Sequence, residues 1–149
     1  MKRFYYSIGL FLLLTTIGCA GQRKAVVVQP TRGSNHERVY FDFNKSKIRN
    51  QDRPVLNGVA SRLQTDKKTM AIVEGHTDQI GSVRYNEALA EDRARAVRVY
   101  LRDQGADPQR VTVVSKGKRE PLVKGRGRKQ LEQNRRVEIL MGLTGREER

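Results

Sequence analysis

Between Asn86 and Gln104, the apolar residues Leu89, Ala90, Ala94, Val97, Tyr100 and Leu101 recur at intervals of one, three and four. That spacing gathers them on one stripe of a helix, and a helix with a single apolar stripe needs another surface to cover it. The flanking segments supply that surface. Thr69 to Glu74, with Met70, Ile72 and Val73, reads as a strand, and so does Val111 to Ser115. Upstream, Val39-Tyr40-Phe41-Asp42-Phe43 is aromatic and β-branched, a first strand. Pro54 then suits a first helical turn, and Leu56, Val59, Ala60 and Leu63 follow at helical spacing. Val137 to Met141 reads as a last strand. Gly105 and Pro108 mark the end of the long helix, Asn86 is expected to cap its start, and the Gly-rich basic stretch Lys116 to Lys129 is expected to be a loop. The order β-α-β-α-β-β predicts an α/β sandwich with helices packed on one sheet.

Charge narrows the partners. The 149 residues carry 30 Lys and Arg against 16 acids, a net charge of +14. Such a surface favours an anionic partner: nucleic acid, membrane headgroups or a cell-wall polymer. A single cysteine excludes an internal disulfide framework and a Cys-based zinc site, and two histidines do not make a His-rich one. No stretch reaches the roughly 18–20 apolar residues of a membrane span.

The N-terminus is read as targeting rather than fold. Lys2 and Arg3 precede a run from Phe4 to Ile17 that is apolar apart from Ser7, Thr15 and Thr16, the pattern of a secretory signal over residues 1–18. The run ends at Thr16-Ile17-Gly18-Cys19, which resembles the bacterial lipobox, with Thr16 where that motif usually has Leu. The resemblance implies a lipid thioether on Cys19. A lipid there would also remove a lone thiol from an oxidising compartment. With Ala20 after the cysteine, the resemblance implies the outer membrane as destination. Residues 19–37, with Gly, Pro, Ser and Asn and one apolar run at Val26 to Val28, are expected to tether a globular domain over 38–141. Residues 142–149 form a charged tail.

Three motifs stand in order within that domain: Gly75-His76-Thr77-Asp78-x-x-Gly81, Asn86-x-x-Leu89-x-x-x-Arg93-Ala94, and Asn134-Arg135-Arg136-Val137-Glu138. Together they resemble the OmpA-like peptidoglycan-binding domain, which includes the peptidoglycan-associated lipoproteins; Tyr40 to Asn44 matches the family's first strand. The resemblance implies a mixed sheet under helices, the protein held in the outer membrane by its lipid, and its domain in the periplasm. It implies noncovalent binding of meso-diaminopimelate in the peptide stem of peptidoglycan, and a partner from the Tol system or another envelope protein. By motif position it assigns Asp78 to the ligand ammonium and Arg93 to its carboxylate, which a guanidinium binds bidentately. Phe43 and Asn44 match positions lining the same cleft. Asn134, Arg135 and Arg136 are expected to tie the last strand to the neighbouring loop, with an approach of Arg135 or Arg136 to the ligand as the alternative. Both Asp78 and Arg93 lie off the apolar stripes, so neither is expected to hold the fold.

Taken singly, these residues have plainer readings. An Asp after a strand is a turn or cap residue, and Arg93 with Arg95 and Arg98 reads as a solvated face. Glu74-x-His76-x-Asp78 puts alternate residues on one face of a strand, but one His and two acids lack a further partner for a metal. No cofactor, nucleophile elbow, P-loop or paired glycosidase carboxylates are indicated, so a catalytic role is not expected. Two other classes remain beside the binding protein. A basic nucleic-acid-binding protein is suggested by charge alone, with 6% aromatics and no Trp; a secreted wall hydrolase is suggested by export. The chain departs from the family at Ser115 to Pro121, where Gly-Tyr-Gly-Glu is usual before the proline, and in the basic run Lys124 to Lys129. That run reads either as a solvated loop or as a patch steering the domain toward anionic wall or lipid.

Overall fold

A computed structural model describes residues 36–143. The expected signal segment, Cys19, most of the tether and nearly all of the charged tail lie outside the described residues. The strands are β1 (His36–Tyr40), β2 (Thr69–His76), β3 (Val111–Gly117) and β4 (Arg136–Leu143); the helices are α1 (Arg53–Thr65), α2 (Val83–Asp103) and α3 (Arg128–Asn134). The strands form one mixed sheet in the order β1-β4-β2-β3. The last strand inserts between the first two, antiparallel to both, while β2 and β3 run parallel.

Alternation along the strands decides the two faces. Val39, Ala71, Val73, Val111, Val137, Ile139 and Met141 are buried, and so are Leu56, Val59, Ala60 and Leu63 of α1 and Ala90, Ala94, Val97 and Leu101 of α2. Each such Val or Leu contributes roughly 1.5–3 kcal/mol by leaving water. The small residues of α2 let the helix lie close to the sheet. At Gly75 the approach is complete: a Cβ there would stand 1.9 Å from the backbone oxygen of Ala90. The glycine of the second strand is therefore a contact surface for α2.

Four local details differ from the sequence expectation. The first strand is His36–Tyr40 rather than 39–43, because pairing with β4 ends at Tyr40 opposite Arg136. Phe41 turns into the core, 2% exposed, while Phe43 is 57% exposed. Helix α2 starts at Val83, three residues early, and its cap is Ser82, whose Oγ accepts from the backbone N–H of Tyr85 at 3.1 Å. Asn86 is not the cap. It is buried within the first turns of the helix and donates to the carbonyls of Ile80 (2.8 Å) and Ser82 (2.9 Å), pinning the preceding loop. Finally, α3 occupies the end of the expected basic loop. Its sequence holds one apolar residue, Leu131, so it has no stripe for periodicity to reveal.

At its far end α2 closes as the sequence expects, at Gly105. The N–H of Gly105 reaches the carbonyl of Arg102 (2.8 Å) and that of Ala106 reaches Leu101 (2.9 Å), the two bonds of a Schellman closure.

Candidate functional site

Strands β1, β2 and β3 point the same way, so the segments leaving their carboxyl ends gather at one edge of the sheet with the start of β4. The N-terminal half of α2 passes over that edge. The result is a cavity of about 230 Å³ lined by Phe43 and Asn44 after β1, Thr77 to Gly81 in part after β2, Tyr85, Asn86, Leu89 and Arg93 of α2, and Arg135 before β4. Phe43, Asn44, Asp78 and Arg93, far apart in sequence, all border this one space.

Arg93 is wholly buried. Its guanidinium donates to three backbone carbonyls: Nε to Lys45 (2.9 Å), Nη1 to His76 (2.9 Å) and Nη2 to Asp42 (3.1 Å). Its carbon also stands 5.3 Å from the centre of the Phe41 ring. Burial lowers its pKa to about 10, opposed by the negative charge of Asp78 and assisted by the positive charge of Arg135. It therefore remains charged at neutral pH. A guanidinium carries five N–H donors, so two remain beyond those three bonds. The expectation that Arg93 takes no part in holding the fold does not stand. It joins the segment after β1 to the end of β2, which no apolar stripe could announce.

Asp78 is 4% exposed. Its Oδ1 accepts from the backbone N–H of Ile80 at 3.0 Å, closing a tight turn, and its Oδ2 is 3.3 Å from Nη1 of Arg135. Each carboxylate oxygen can accept more than one hydrogen bond, so the group retains capacity toward the cavity. Thr77 fixes the turn from behind, its N–H on the carbonyl of Gly117 at 2.9 Å. Asn44 holds a left-handed backbone, φ 55°, and its Oδ1 accepts from the hydroxyl of Tyr85. Phe43, Tyr85 and Ile80 form a half-exposed apolar rim.

Arg135 borders the cavity and Arg136 does not. Nε of Arg135 donates to the carbonyl of Phe41 at 3.3 Å, so this residue too links the sheet edge to the site. Tyr85, Ile80 and Leu89 enter the lining without having been singled out as site residues. The exposed aromatic Tyr85, off the apolar stripe on the first turn of α2, was the available signal.

The acidic-histidine pattern resolves differently from Glu74-x-His76-x-Asp78. The backbone shifts register between Gly75 and His76, and the trio brought within 4.8 Å is Glu74, His76 and Glu138, away from Asp78. Its carboxylates already have partners: Glu138 meets Arg136 at 2.7 Å and Arg38 at 3.1 Å, with Nε2 of His36 at 2.9 Å, and Glu74 meets Lys116 at 3.6 Å. His76 is 2% exposed, and among the described residues neither ring nitrogen has a hydrogen-bond partner. Burial first, then the Arg136 charge, lowers its pKa to about 4, so it is neutral at pH 7. These features describe a paired electrostatic cluster that braces the sheet.

Among known proteins, the sequence model of the OmpA family matches residues 40–135. Outer membrane protein A of Bordetella avium is 38% identical over 100 residues, 67% of this chain and 52% of that protein. The peptidoglycan-associated lipoprotein of Pseudomonas aeruginosa is 38% identical over 100 residues, 67% of this chain and 59% of the relative. The chain thus spans between half and three fifths of these curated relatives. The crystal structure of the peptidoglycan-associated lipoprotein from Burkholderia pseudomallei superposes with a TM-score of 0.69 at 32% identity, covering 70% of this chain and 89% of that one.

Proposed function

The chain belongs to the OmpA family, and from that premise we propose that it is an outer-membrane lipoprotein, anchored through Cys19, whose periplasmic domain holds peptidoglycan noncovalently by the diaminopimelate of the peptide stem. The observation that carries this reading is the meeting of Asp78 and Arg93 at one small cavity. The free end of diaminopimelate bears an ammonium and a carboxylate on one carbon. A receptor needs an anion and a planar cation facing the same small volume, and both must be held rigidly. Here the carboxylate is held by the Ile80 N–H and Arg135, and the guanidinium by three carbonyls. Their ordering is prepaid by the fold rather than charged to binding.

Asp78 takes the ammonium with its remaining acceptor capacity. Arg93 takes the carboxylate with its two uncommitted N–H groups. Phe43, Ile80 and Leu89 contact the methylene chain. The cavity lies below the roughly 300 Å³ of a typical drug-sized pocket, which suits one amino-acid end group rather than a disaccharide. A binding role also fits the chemistry of the site better than hydrolysis: its one carboxylate is engaged by Arg135 and has no second acid beside it in the lining.

The test is titration calorimetry with two synthetic stem peptides, one with meso-diaminopimelate and one with lysine at the same position. Lysine keeps the ammonium and lacks the carboxylate. Wild type is expected to prefer the diaminopimelate peptide by about tenfold or more, the value of one charge-assisted hydrogen bond. Asp78→Asn is expected to lose at least about tenfold for both peptides. Equal wild-type affinities would remove Arg93 from the carboxylate, and undiminished binding by Asp78→Asn would remove the site.

A further inference from the structure

The cavity has a neighbour. A second space of about 430 Å³, bounded by Gln79, Ile80, Gly81, Arg126 and Leu131, shares the Ile80–Gly81 wall with the first. That wall is braced from several sides. Gln79 Nε2 donates to the carbonyl of Lys118 at 2.8 Å, Lys118 Nζ donates to the carbonyl of Gly81 at 2.7 Å, and Asn86 holds the carbonyl of Ile80. The opposite side is the basic stretch that departs from the family pattern. Gly125, at φ +120°, gives a backbone turn closed to other residues, and Arg126 follows it.

Among the described residues no carboxylate pairs with Arg126, whereas Arg128 on the same stretch lies 3.6 Å from Glu132. The lining of the second space contains no acid. It presents one uncommitted guanidinium beside two aliphatic side chains, Ile80 and Leu131. That combination suits a carboxylate carried on a short aliphatic backbone, with the planar cation on the acid and the apolar groups on its carbons.

We propose that Arg126, with Leu131 and the Gln79–Gly81 turn, forms a second subsite that takes a free carboxylate of the stem peptide outside the diaminopimelate residue. The inference rests on the reading of the first cavity given above. A stem held there by its diaminopimelate carries two such groups on neighbouring residues: the α-carboxylate of the γ-linked glutamate on one side and the terminal carboxylate of the alanine on the other. Either would enter the adjoining space across the shared wall, and amidation of that group would abolish the interaction. The subsite thus makes the protein sensitive to amidation of the wall peptide.

The experiment uses the full chain in detergent micelles and one tetrapeptide stem in three forms: both acids free, glutamate amidated, and terminal alanine amidated. Titration calorimetry is expected to give roughly two- to fivefold weaker binding for one amidated form, the scale of a solvent-accessible ion pair. The form that is weakened identifies which carboxylate is read. Arg126→Gln is expected to bind the acid and that amide equally. Lys124→Gln, the same charge change on the same stretch but outside the cavity lining, is expected to retain the preference. Equal wild-type binding of all three forms overturns the subsite, as does a loss of preference in Lys124→Gln matching that in Arg126→Gln, which would make the effect one of bulk charge. If wild type instead fails to distinguish diaminopimelate from lysine peptides, the reading of the first cavity falls and the subsite with it. Discrimination at diaminopimelate without discrimination of amides removes the subsite alone.

Discussion

Replacing Arg93 by alanine separates what this residue does for the fold from what it does for a ligand. The substitution removes three charged hydrogen bonds and leaves the carbonyls of Asp42, Lys45 and His76 without their donor. An unsatisfied buried acceptor costs about 1–3 kcal/mol, and water entering the vacated space recovers part of that. Contact with the Phe41 ring adds roughly 0.5–2 kcal/mol. Allowing for non-additivity, the net loss is expected to be about 3–5 kcal/mol. A domain of this size has about 5–15 kcal/mol in total, so Tm should fall by roughly 15–30 °C. Arg93→Lys is expected to lose about 2 kcal/mol, because a single ammonium cannot span carbonyls fixed to a rigid fork. Asp78→Asn keeps an acceptor for the Ile80 N–H and gives up the contact with Arg135 and the charge that favours the Arg93 guanidinium, so it should cost less than Arg93→Ala. Urea denaturation followed by circular dichroism measures all three. Arg93→Ala within about 1 kcal/mol of wild type, or Asp78→Asn as damaging as Arg93→Ala, would refute the role given to the buried guanidinium.

Gly75→Ala pushes a methyl into the backbone of Ala90 and should cost about 3 kcal/mol or more, whereas Gly58→Ala in α1, with nothing within 4 Å of the new methyl, should stabilise by roughly 0.5–1 kcal/mol; equal effects in denaturation would contradict the helix–sheet contact. His76 has a folded pKa of about 4 against an ordinary value of 6.5, so between those values the unfolded chain binds more protons and stability falls as pH is lowered from 6.5 toward 4. The loss is on the order of 3 kcal/mol. His76→Leu should flatten that part of the stability–pH curve, and an unchanged slope would assign it elsewhere. Cys19→Ser should release the protein from outer-membrane fractions once the wall has been digested, and wild-type fractionation of that variant would exclude the lipid anchor.

Much of the architecture follows from local pattern. The stripe from Leu89 to Leu101, the short apolar runs of β2 and β3, and the Gly105 stop each depend on residues a few positions apart, and local spacing records them. The OmpA-family motifs likewise lie in three short runs. Boundaries moved where a distant partner intervened. Pairing with β4 ends β1 at Tyr40 although its aromatic alternation continues to Phe43, and Ser82 rather than Asn86 caps α2 because Asn86 is drawn to the carbonyl of Ile80. Helix α3 has too few apolar residues to show a period.

By itself the sequence determined where the two long helices and the strand segments lie, the apolar stripe of each long helix, and which residue types stand near the end of β2. Only the tertiary structure decided that β4 lies between β1 and β2. That placement puts Arg135 beside Asp78, and the packing of α2 across the same edge carries Arg93 to the carbonyls of Asp42 and Lys45, roughly fifty residues away. Periodicity reports whether a side chain is apolar, so it sees a buried arginine as a surface one. What keeps Arg93 inside is a set of backbone carbonyls that every residue possesses, and their convergence on one point exists only after the chain has folded.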